Sequence, residues 1–489
     1  MKEREIFAYR GRLDVQALNE VMRDKNLNAF TRAELLCMAL PTALKELARG
    51  FYRNLVLIKE PGGGTPAANQ ITIELARLQR LGLERPLIEA MTILPSYSLG
   101  IEFPFTLARP YLSRDDDVFY IIDNPVRKDK VFKVPYMAPA SWKGALRAKA
   151  TRIIGRRLEE VLRQSPEAGA TPEARASSLW PRRAQGVLLF GNENAAQARY
   201  LNGRIAEFLL SRNQGAPEED LSAQRRKKRE GLETEFDLYL RTHGFRTERI
   251  EGRQGRLFFF PTYFNDLGLE IINPHDRRRG VGINPILYEC VPRGAQGRFS
   301  LLYVPFDFPG SGQNGGGAVT PDRNALVRQL AEDLPFLAEA VHGLFTSYGF
   351  GAKTSSGYGA AEDNLPSPGR LLLKAQLGTP AEHTCLPPHL EHYFGAADRL
   401  DDFIDPLGNL RSVEAYTQIL RDRGEDYYRK KRQLYGRIKD WWETGGEASY
   451  REHQAAQSAG AVVQEFSRLQ DLPGVVRQLA AALMPGGEV

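Results

Sequence analysis

Near residue 97 the chain begins to alternate apolar and polar positions with a period of two. SLGIEFPFTL places Leu99, Ile101, Phe103, Phe105 and Leu107 on one side. That period predicts a β-strand with one face against a core. Pro104 falls on the opposite side and predicts an edge or a bulge, because proline has no N–H to give to a ladder. GRLFFFPTYF (255–264) and RFSLLYVPF (298–306) predict two more strands. Residues 1 to about 95 follow a helical period instead. TRAE at 31–34 has capping-box form, Thr31 capping and Glu34 returning the bond, and Pro41 should break or kink that helix. PGGGTP (61–66) is a loop, after which ITIELARLQRLGL resumes the helical period.

Ser141 is placed to cap a helix running to about Arg163. A polar stretch containing Pro and Ala follows near 165–180, and LFG at 189–191 opens a charged insertion that lasts to about Gly255. PGSGQNGGG (309–317) is a flexible loop. Thr320-Pro321 then starts a helix carrying Leu326, Leu330, Leu334, Leu337, Val341 and Leu344 at spacings of three and four. GFGAKTSSGYG (349–359) leads to a last strand, and beyond 380 the chain reads as a polar helical tail with an amphipathic stretch at AVVQEFSRLQ. Without its insertions the order is strand, helix, strand, strand, helix, strand. The expected class is therefore α+β, a ferredoxin-like βαββαβ core of the kind on which RNA-recognition modules are also built. Three regions are expected: a mainly helical 1–95, the ferredoxin-like domain 96–375 with an insertion at about 191–255, and a helical 376–489.

Composition narrows the setting. The chain has 489 residues, too many for one compact core, with 42% apolar and 26% charged residues, an ordinary soluble balance. Cys37, Cys290 and Cys385 are too few and scattered for a disulfide framework, which points to the reducing cytoplasm. No apolar leader or bilayer-length run is present in the sequence, so no membrane partner is expected. The net charge of +6 is a weak pointer to an anionic partner; its distribution says more. Between Asn124 and Arg157 ten basic residues face one acid, Asp129, which predicts phosphate contacts. RRKKR at 225–229 reads as a solvated face, and Arg277, Arg278 and Arg279 form a third cluster.

Several stretches could carry chemistry. In GFGAKTSSGYG, Gly349, Gly351, Gly357 and Gly359 would let backbone N–H groups approach an anion, and Lys353 adds a point charge. Ala352 before Lys353 rules out a Walker A loop, and Thr354 stands where a dinucleotide fingerprint needs its third glycine. A tight turn joining helix to strand is the alternative. None of the seven histidines precedes His243, which removes an N-terminal catalytic histidine. HTCLPPHLEH offers His383, Cys385, His389 and His392, but their spacing matches no common zinc motif and Zn2+ is disfavoured. Tyr136, Trp142, Tyr348, Phe350 and Tyr358 lie among Lys133, Lys143 and Lys353, a mix that suits base stacking with phosphate contact, or a core. Asp123 either holds a divalent metal beside a phosphate or accepts hydrogen bonds in a turn ahead of Asn124-Pro125.

Three motifs occur in the order of one family. IIDNPVRKD followed by VPYMAPASWKGALR resembles the loop and first-helix signature of the RAMP superfamily, the ferredoxin-like subunits of CRISPR effector complexes. GFGAKTSSGYG is similar to that family's C-terminal glycine-rich loop. EIINPHDRRRGVGINPILYECVPRGAQGRFSLLYVP (270–305) resembles the middle of the Cmr-type subunit that caps the end of the backbone filament. The resemblance spans roughly 97–362, with Trp142 where the signature has a small or aliphatic residue. It implies a type III subunit bound to CRISPR RNA, target RNA and other subunits. The guide would be gripped by Arg127, Lys128, Lys143, Arg147, Gly349, Gly351, Lys353, Thr354 and Ser355, with Arg277 to Arg279 nearby. Asp123 falls where backbone subunits carry an aspartate that cuts target RNA with Mg2+ or Mn2+. End-capping subunits, which residues 270–305 favour, generally lack that activity. A metal-dependent endoribonuclease and a non-catalytic scaffold both stay open. A stand-alone guide-processing endonuclease is disfavoured by the missing early histidine, and a nucleotide-binding enzyme by the failed glycine-loop tests.

Overall fold

The computed structural model describes all residues except 1–26, 40–44, 62, 85–86, 92, 114–120, 165–171, 211–217, 246–251, 274, 277, 279–280, 283–284, 307–322, 376–389, 391–392, 395–398, 406–408, 425–428, 448–449, 452–461 and 484–489. The chain forms two compact units, one from residues 1–85, 99–371 and 464–489, the other from 86–98 and 372–463. No helix among the described residues is long and apolar enough to cross a membrane.

The first unit opens with helices α1 (Ala29–Ala39), α2 (Lys45–Leu57) and α3 (Pro66–Arg80). Asn28, not Thr31, starts α1: its Oδ1 accepts the Thr31 N–H at 2.7 Å. TRAE therefore lies inside the first turn, and Glu34 pairs with Lys133 Nζ at 3.0 Å instead of returning a capping bond. α1 ends two residues before Pro41. Thr65 caps α3, accepting the Ala68 N–H at 3.1 Å, with Pro66 at the first helical position.

There follow β1 (Leu99–Thr106), β2 (Tyr136–Met137) and α4 (Pro139–Gln164). Helices α5 (Pro172–Phe190), α6 (Ala195–Leu210) and α7 (Glu218–Thr242) come next. The polar stretch near 165–180 thus runs into a helix, and most of the charged insertion is helical. It has its own buried anchor: Arg183 donates to both carboxylate oxygens of Glu193 (2.9 and 2.7 Å) and to Asn202 Oδ1 (2.7 Å), with its guanidinium 3.9 Å from the Phe236 ring centroid.

The chain then returns through β3 (Leu257–Phe259), β4 (Thr262–Tyr263), β5 (Gly268–Ile272), β6 (Ile286–Cys290) and β7 (Gln296–Tyr303). It ends through α8 (Arg323–Gly343), β8 (Asn364–Leu373), β9 (Val462–Arg468) and α9 (Leu472–Leu483). The main sheet has five strands in the order β9-β8-β1-β7-β3. Without β9, the strands of the βαββαβ unit stand fourth, first, third, second, and α4 and α8 are its two helices. The fold is mixed α and β and ferredoxin-like, as the pattern predicts. Outside the main sheet β2 pairs antiparallel with the distant β4, and β5 forms an antiparallel hairpin with β6.

Two expectations need correction. Pro104 is neither at an edge nor at a bulge: β1 lies between β8 and β7, and Pro104 stands opposite Arg298 in an unbroken antiparallel register from Leu99↔Tyr303 to Thr106↔Gln296. AVVQEFSRLQ is mostly strand β9, not an amphipathic helix. Two β-branched valines favour the extended form, and pairing with β8 supplies ladder partners that an isolated helix would lack. Phe466 of β9 is buried, 5.9 Å from the Phe103 ring, in a space that Gly369 leaves open; a Cβ on Gly369 would lie 2.5 Å from the Phe466 ring.

The sheet's inner face meets α4 and α8 through an aromatic core. Phe103 and Phe105 each lie 5.0 Å from Phe345, Trp142 lies 5.4 Å from Phe345 and 4.8 Å from Phe350. Leu326, Leu330, Leu334, Leu337, Val341 and Leu344 are all buried, as their spacing predicts. In the second unit, helices Val413–Asp422 and Arg429–Trp441 pack on Phe403, Tyr416 and Ile438. An Arg423–Asp402 fork at 2.7 and 2.5 Å closes that core. Phe466→Ala should lower the stability of the first unit by about 3 kcal/mol, read as a shifted urea midpoint with the spectral signature of the second unit unchanged.

Candidate nucleic-acid interface

The site grows from the start of α4. Its first residue is Pro139, whose fixed φ suits that position, so the helix begins two residues before Ser141. Trp142 sets the orientation of the first turn. Its side chain is fully buried and its indole N–H donates to Thr262 Oγ1 at 2.9 Å. With that face turned to the sheet, Ser141, Gly144, Ala145 and Ala148 line a groove of about 460 Å³. Tyr348, Gly349, Phe350, Gly351, Ala352 and Thr354 also line it, as do Tyr111, Ser113, Arg127 and Met137. Helix start and glycine loop, some two hundred residues apart in sequence, thus line one groove.

The glycines on the two sides have different reasons. Gly349 has φ +78°, and a Cβ there would lie 2.6 Å from the Tyr358 carbonyl; a Cβ on Gly351 would collide with the Leu112 carbonyl. Several of the loop's backbone N–H groups are also engaged. Gly349, Phe350, Ala352 and Gly359 donate to Leu344, Gly359, Leu112 and Pro110 carbonyls at 2.8–3.0 Å. These glycines permit a tight crossing of backbone, and those amides are not offered to an anion. Gly144 is the opposite case. It is exposed inside a helix, and nothing lies within 4 Å of an added Cβ. The protein itself gives no reason for a glycine there.

Beside the groove, residues 121–128 are held by one carboxylate. Glu289 of β6 is buried and accepts from Tyr52 Oη of α2, from the Val126 N–H at 3.0 Å and from Lys128 Nζ at 2.5 Å. Its own N–H donates to the Asn124 carbonyl at 2.9 Å. Burial, then the neighbouring Glu289, raises the Tyr52 pKa well above its ordinary value. Tyr288, next on β6, packs under Lys353 at 5.4 Å, and Tyr358 Oη donates to Glu270 at 3.1 Å. The β5–β6 hairpin therefore holds both the 121–128 loop and the glycine loop. Asp123 projects into solvent from the first of these, its carboxylate 3.3 Å from Arg49 Nη2 of α2. Among the described residues no group of three His, Cys, Asp or Glu could cage a metal.

Of the residues expected to grip RNA, Arg127, Gly349, Gly351 and Thr354 line the groove. Arg127 is exposed, with its guanidinium over Tyr136 at 5.7 Å. Lys128 is bound to Glu289, and Arg147 donates to the Phe190 and Asn192 carbonyls at the end of α5. Lys143 is half-buried beside the groove; burial first, then Arg147, lowers its pKa. Lys353 sits on Tyr288, and Ser355 is exposed. Arg278 is exposed away from the groove lining, and Arg277 and Arg279 lie outside the described residues, as do His383, Cys385, His389 and His392. Further along α4, Arg156 and Arg157 both pair with Glu339 of α8. Trp142 and Phe350 are fully buried, Phe350 at the floor of the groove, while Tyr348 is the partly exposed aromatic of that set in the lining. Gly144 and Glu289 escaped the sequence reading. A glycine within the helical run SWKGALR was the available signal for the first, and nothing local marked the second.

The RAMP superfamily model matches residues 62–362, well over half of the chain. The chain belongs to the RAMP superfamily. The match begins at the loop before α3, earlier than the motifs in the sequence suggested. No curated protein sequence matches this RAMP protein. Among solved structures it is similar to a chain of the type III-B Cmr-beta complex bound to cognate target RNA, at 12% identity and TM-score 0.31, covering 71% of this chain and 94% of that one. It is also similar to a chain of a CRISPR RNA-guided surveillance complex, at 11% identity and TM-score 0.29, covering 79% and 100%. At these scores neither bears on function.

Replacing Glu289 by alanine should cost about 3 kcal/mol, since it takes the acceptor from the buried Tyr52 hydroxyl and the buried Val126 N–H. Limited proteolysis should then cut first within 121–135, with α4 still intact.

Proposed function

We propose that this RAMP protein is a guide-RNA-binding subunit of a CRISPR effector complex, of the type III, Cmr-like kind that its motifs resemble. The groove between the start of α4 and the glycine loop, with Gly144 open on its helical side, is the observation that supports this reading. Glycine inside a helix costs about 1 kcal/mol relative to alanine, and a ligand backbone passing close over the helix accounts for keeping it. Arg127 on the groove and Lys143 beside it supply positive charge. The ammonium of Lys143 is disfavoured by burial and by Arg147, and an RNA phosphate would relieve that penalty. Target RNA paired to the guide and neighbouring subunits are the remaining partners of the proposal.

Asp123 carries a second part of the proposal, cleavage of target RNA. It is exposed, on a loop anchored through Glu289, in the position the family resemblance gives to a cleaving aspartate. One carboxylate suits Mg2+ or Mn2+ at a phosphate, since Mg2+ keeps several waters and takes substrate phosphate oxygens as ligands. When bound, the ion would polarise the scissile phosphate. Arg49 holds the same carboxylate and must give it up for this chemistry. The scaffold reading, in which Asp123 only tethers its loop to α2, is favoured by that ion pair.

Three measurements test these readings. Gly144→Ala should raise the stability of the RNA-free protein by about 0.5–1 kcal/mol and weaken guide retention; unchanged retention would remove the groove from the interface. Lys143→Ala should weaken binding across sequences and lower the salt slope by about one. In the reconstituted complex with Mg2+ or Mn2+, Asp123→Ala should abolish target cuts while guide and target stay bound. Cuts that persist in that variant would assign Asp123 to the scaffold.

A further inference from the structure

We infer that the second unit has a polyanion surface of its own, the exposed face of helix Arg429–Trp441, and that it takes the sugar–phosphate backbone of a single-stranded nucleic acid. The face lies wholly within that unit and outside residues 62–362, which the RAMP family model matches. It therefore stands apart from the groove reading above. Lys431, Leu434, Tyr435 and Ile438 are buried, at helical spacings of three and four. On the other side Arg429, Lys430, Arg432, Arg437 and Lys439 are exposed, against one acid, Asp440. Among the described residues Lys439 has an acid partner, Glu443 at 3.9 Å, while Arg429, Lys430, Arg432 and Arg437 have none. Arg156 and Arg157 of α4, by contrast, share Glu339. Unmatched like charges gathered on one face repel one another, and an anion laid across them relieves that cost.

Three further features say which polyanion fits. Gly436 lies in the middle of the face, one turn from Arg432 and next to Arg437. An added Cβ there would meet nothing within 4 Å, so packing within the protein does not require a glycine, and glycine is a poor helix residue. A ligand backbone running close against the helix accounts for it. The face also exposes no aliphatic side chain among the described residues. A protein partner would want an apolar centre depleted in lysine, so a nucleic-acid strand is the better match. Finally, the guanidinium of Arg437 lies 3.8 Å from the ring centroid of the exposed Tyr393. An arginine held flat on an aromatic ring is a ready platform for a base. Bases free to reach such a platform belong to a single strand, since a duplex keeps its own stacked on one another.

The test uses the full chain and labelled single strands of about sixteen nucleotides, RNA and DNA of one sequence, titrated by fluorescence anisotropy over a range of salt. Arg432→Gln with Arg437→Gln should weaken binding on the order of tenfold and lower the salt slope by about 1.4, as expected for two phosphate contacts on a single strand. Arg429→Gln with Lys430→Gln leaves the Tyr393 stack in place and repeats the test should the first variant fold poorly. Gly436→Leu keeps every charge and should weaken binding with the slope unchanged. Tighter binding of RNA or of DNA names the source of the strand, and either supports the proposal. Lys143→Ala is the control for the groove, and its effect should add to that of the helix variants. Helix variants that leave affinity and slope unchanged, while Lys143→Ala still weakens binding, would overturn the helix surface and leave the groove standing. The reverse pattern would leave the helix standing and remove the groove. Poly-glutamate that binds as tightly as the strands, and is lost in the same variants, would assign the face to an acidic protein and overturn the proposal.

Discussion

The carboxylate of Glu289 is the interaction on which the site depends. It comes from β6 and collects a tyrosine hydroxyl from α2, a backbone N–H from the 121–128 loop and an ammonium from that same loop. A buried carboxylate is costly unless its lone pairs are met, so these groups must come together as a set. Successive residues of a strand point to opposite faces. Glu289 therefore reaches one wall of the interface while Tyr288 reaches the other and holds Lys353. A short hairpin fixes the spacing of two segments that the sequence keeps far apart.

The ten basic residues of 124–157 have a mixed explanation. Lys128, Lys133, Arg156 and Arg157 pair with acids on other elements, and Arg147 binds carbonyls at the end of α5. Those charges assemble the protein. Arg127, Lys143 and Arg152, the last over the ring of Tyr348, remain near the groove, too few to make it a purely electrostatic channel. Charge density along a sequence counts side chains; only the fold tells which are matched by Glu34, Glu289 or Glu339.

Much of the fold was legible because its signals are local. Alternation marked β1, the three-and-four spacing marked α8, and their order gave the βαββαβ frame. β9 was misread because Val462 and Phe466 share a face in a helix and in a strand alike, and the deciding partner, β8, lies about ninety residues away. Pro104 misled in the other direction: the rule that confines proline to edges is a tendency, and eight paired positions with β7 outweigh one missing donor. At the site, the loop and the helix start were legible as motifs. Their meeting was not, since it depends on Trp142 turning inward, and an aromatic beside a lysine reads equally as a stacking residue.

The position of β9 has a consequence for how the chain comes to its native state. β8 is complete by Leu373, but the strand that covers its outer edge begins only at Val462. During synthesis at the usual 5–20 residues per second, the β8 edge stands open for roughly five to twenty seconds. An unpaired edge is a template for pairing with another chain. The nascent protein must therefore reach its last strand before it is safe from edge-to-edge association.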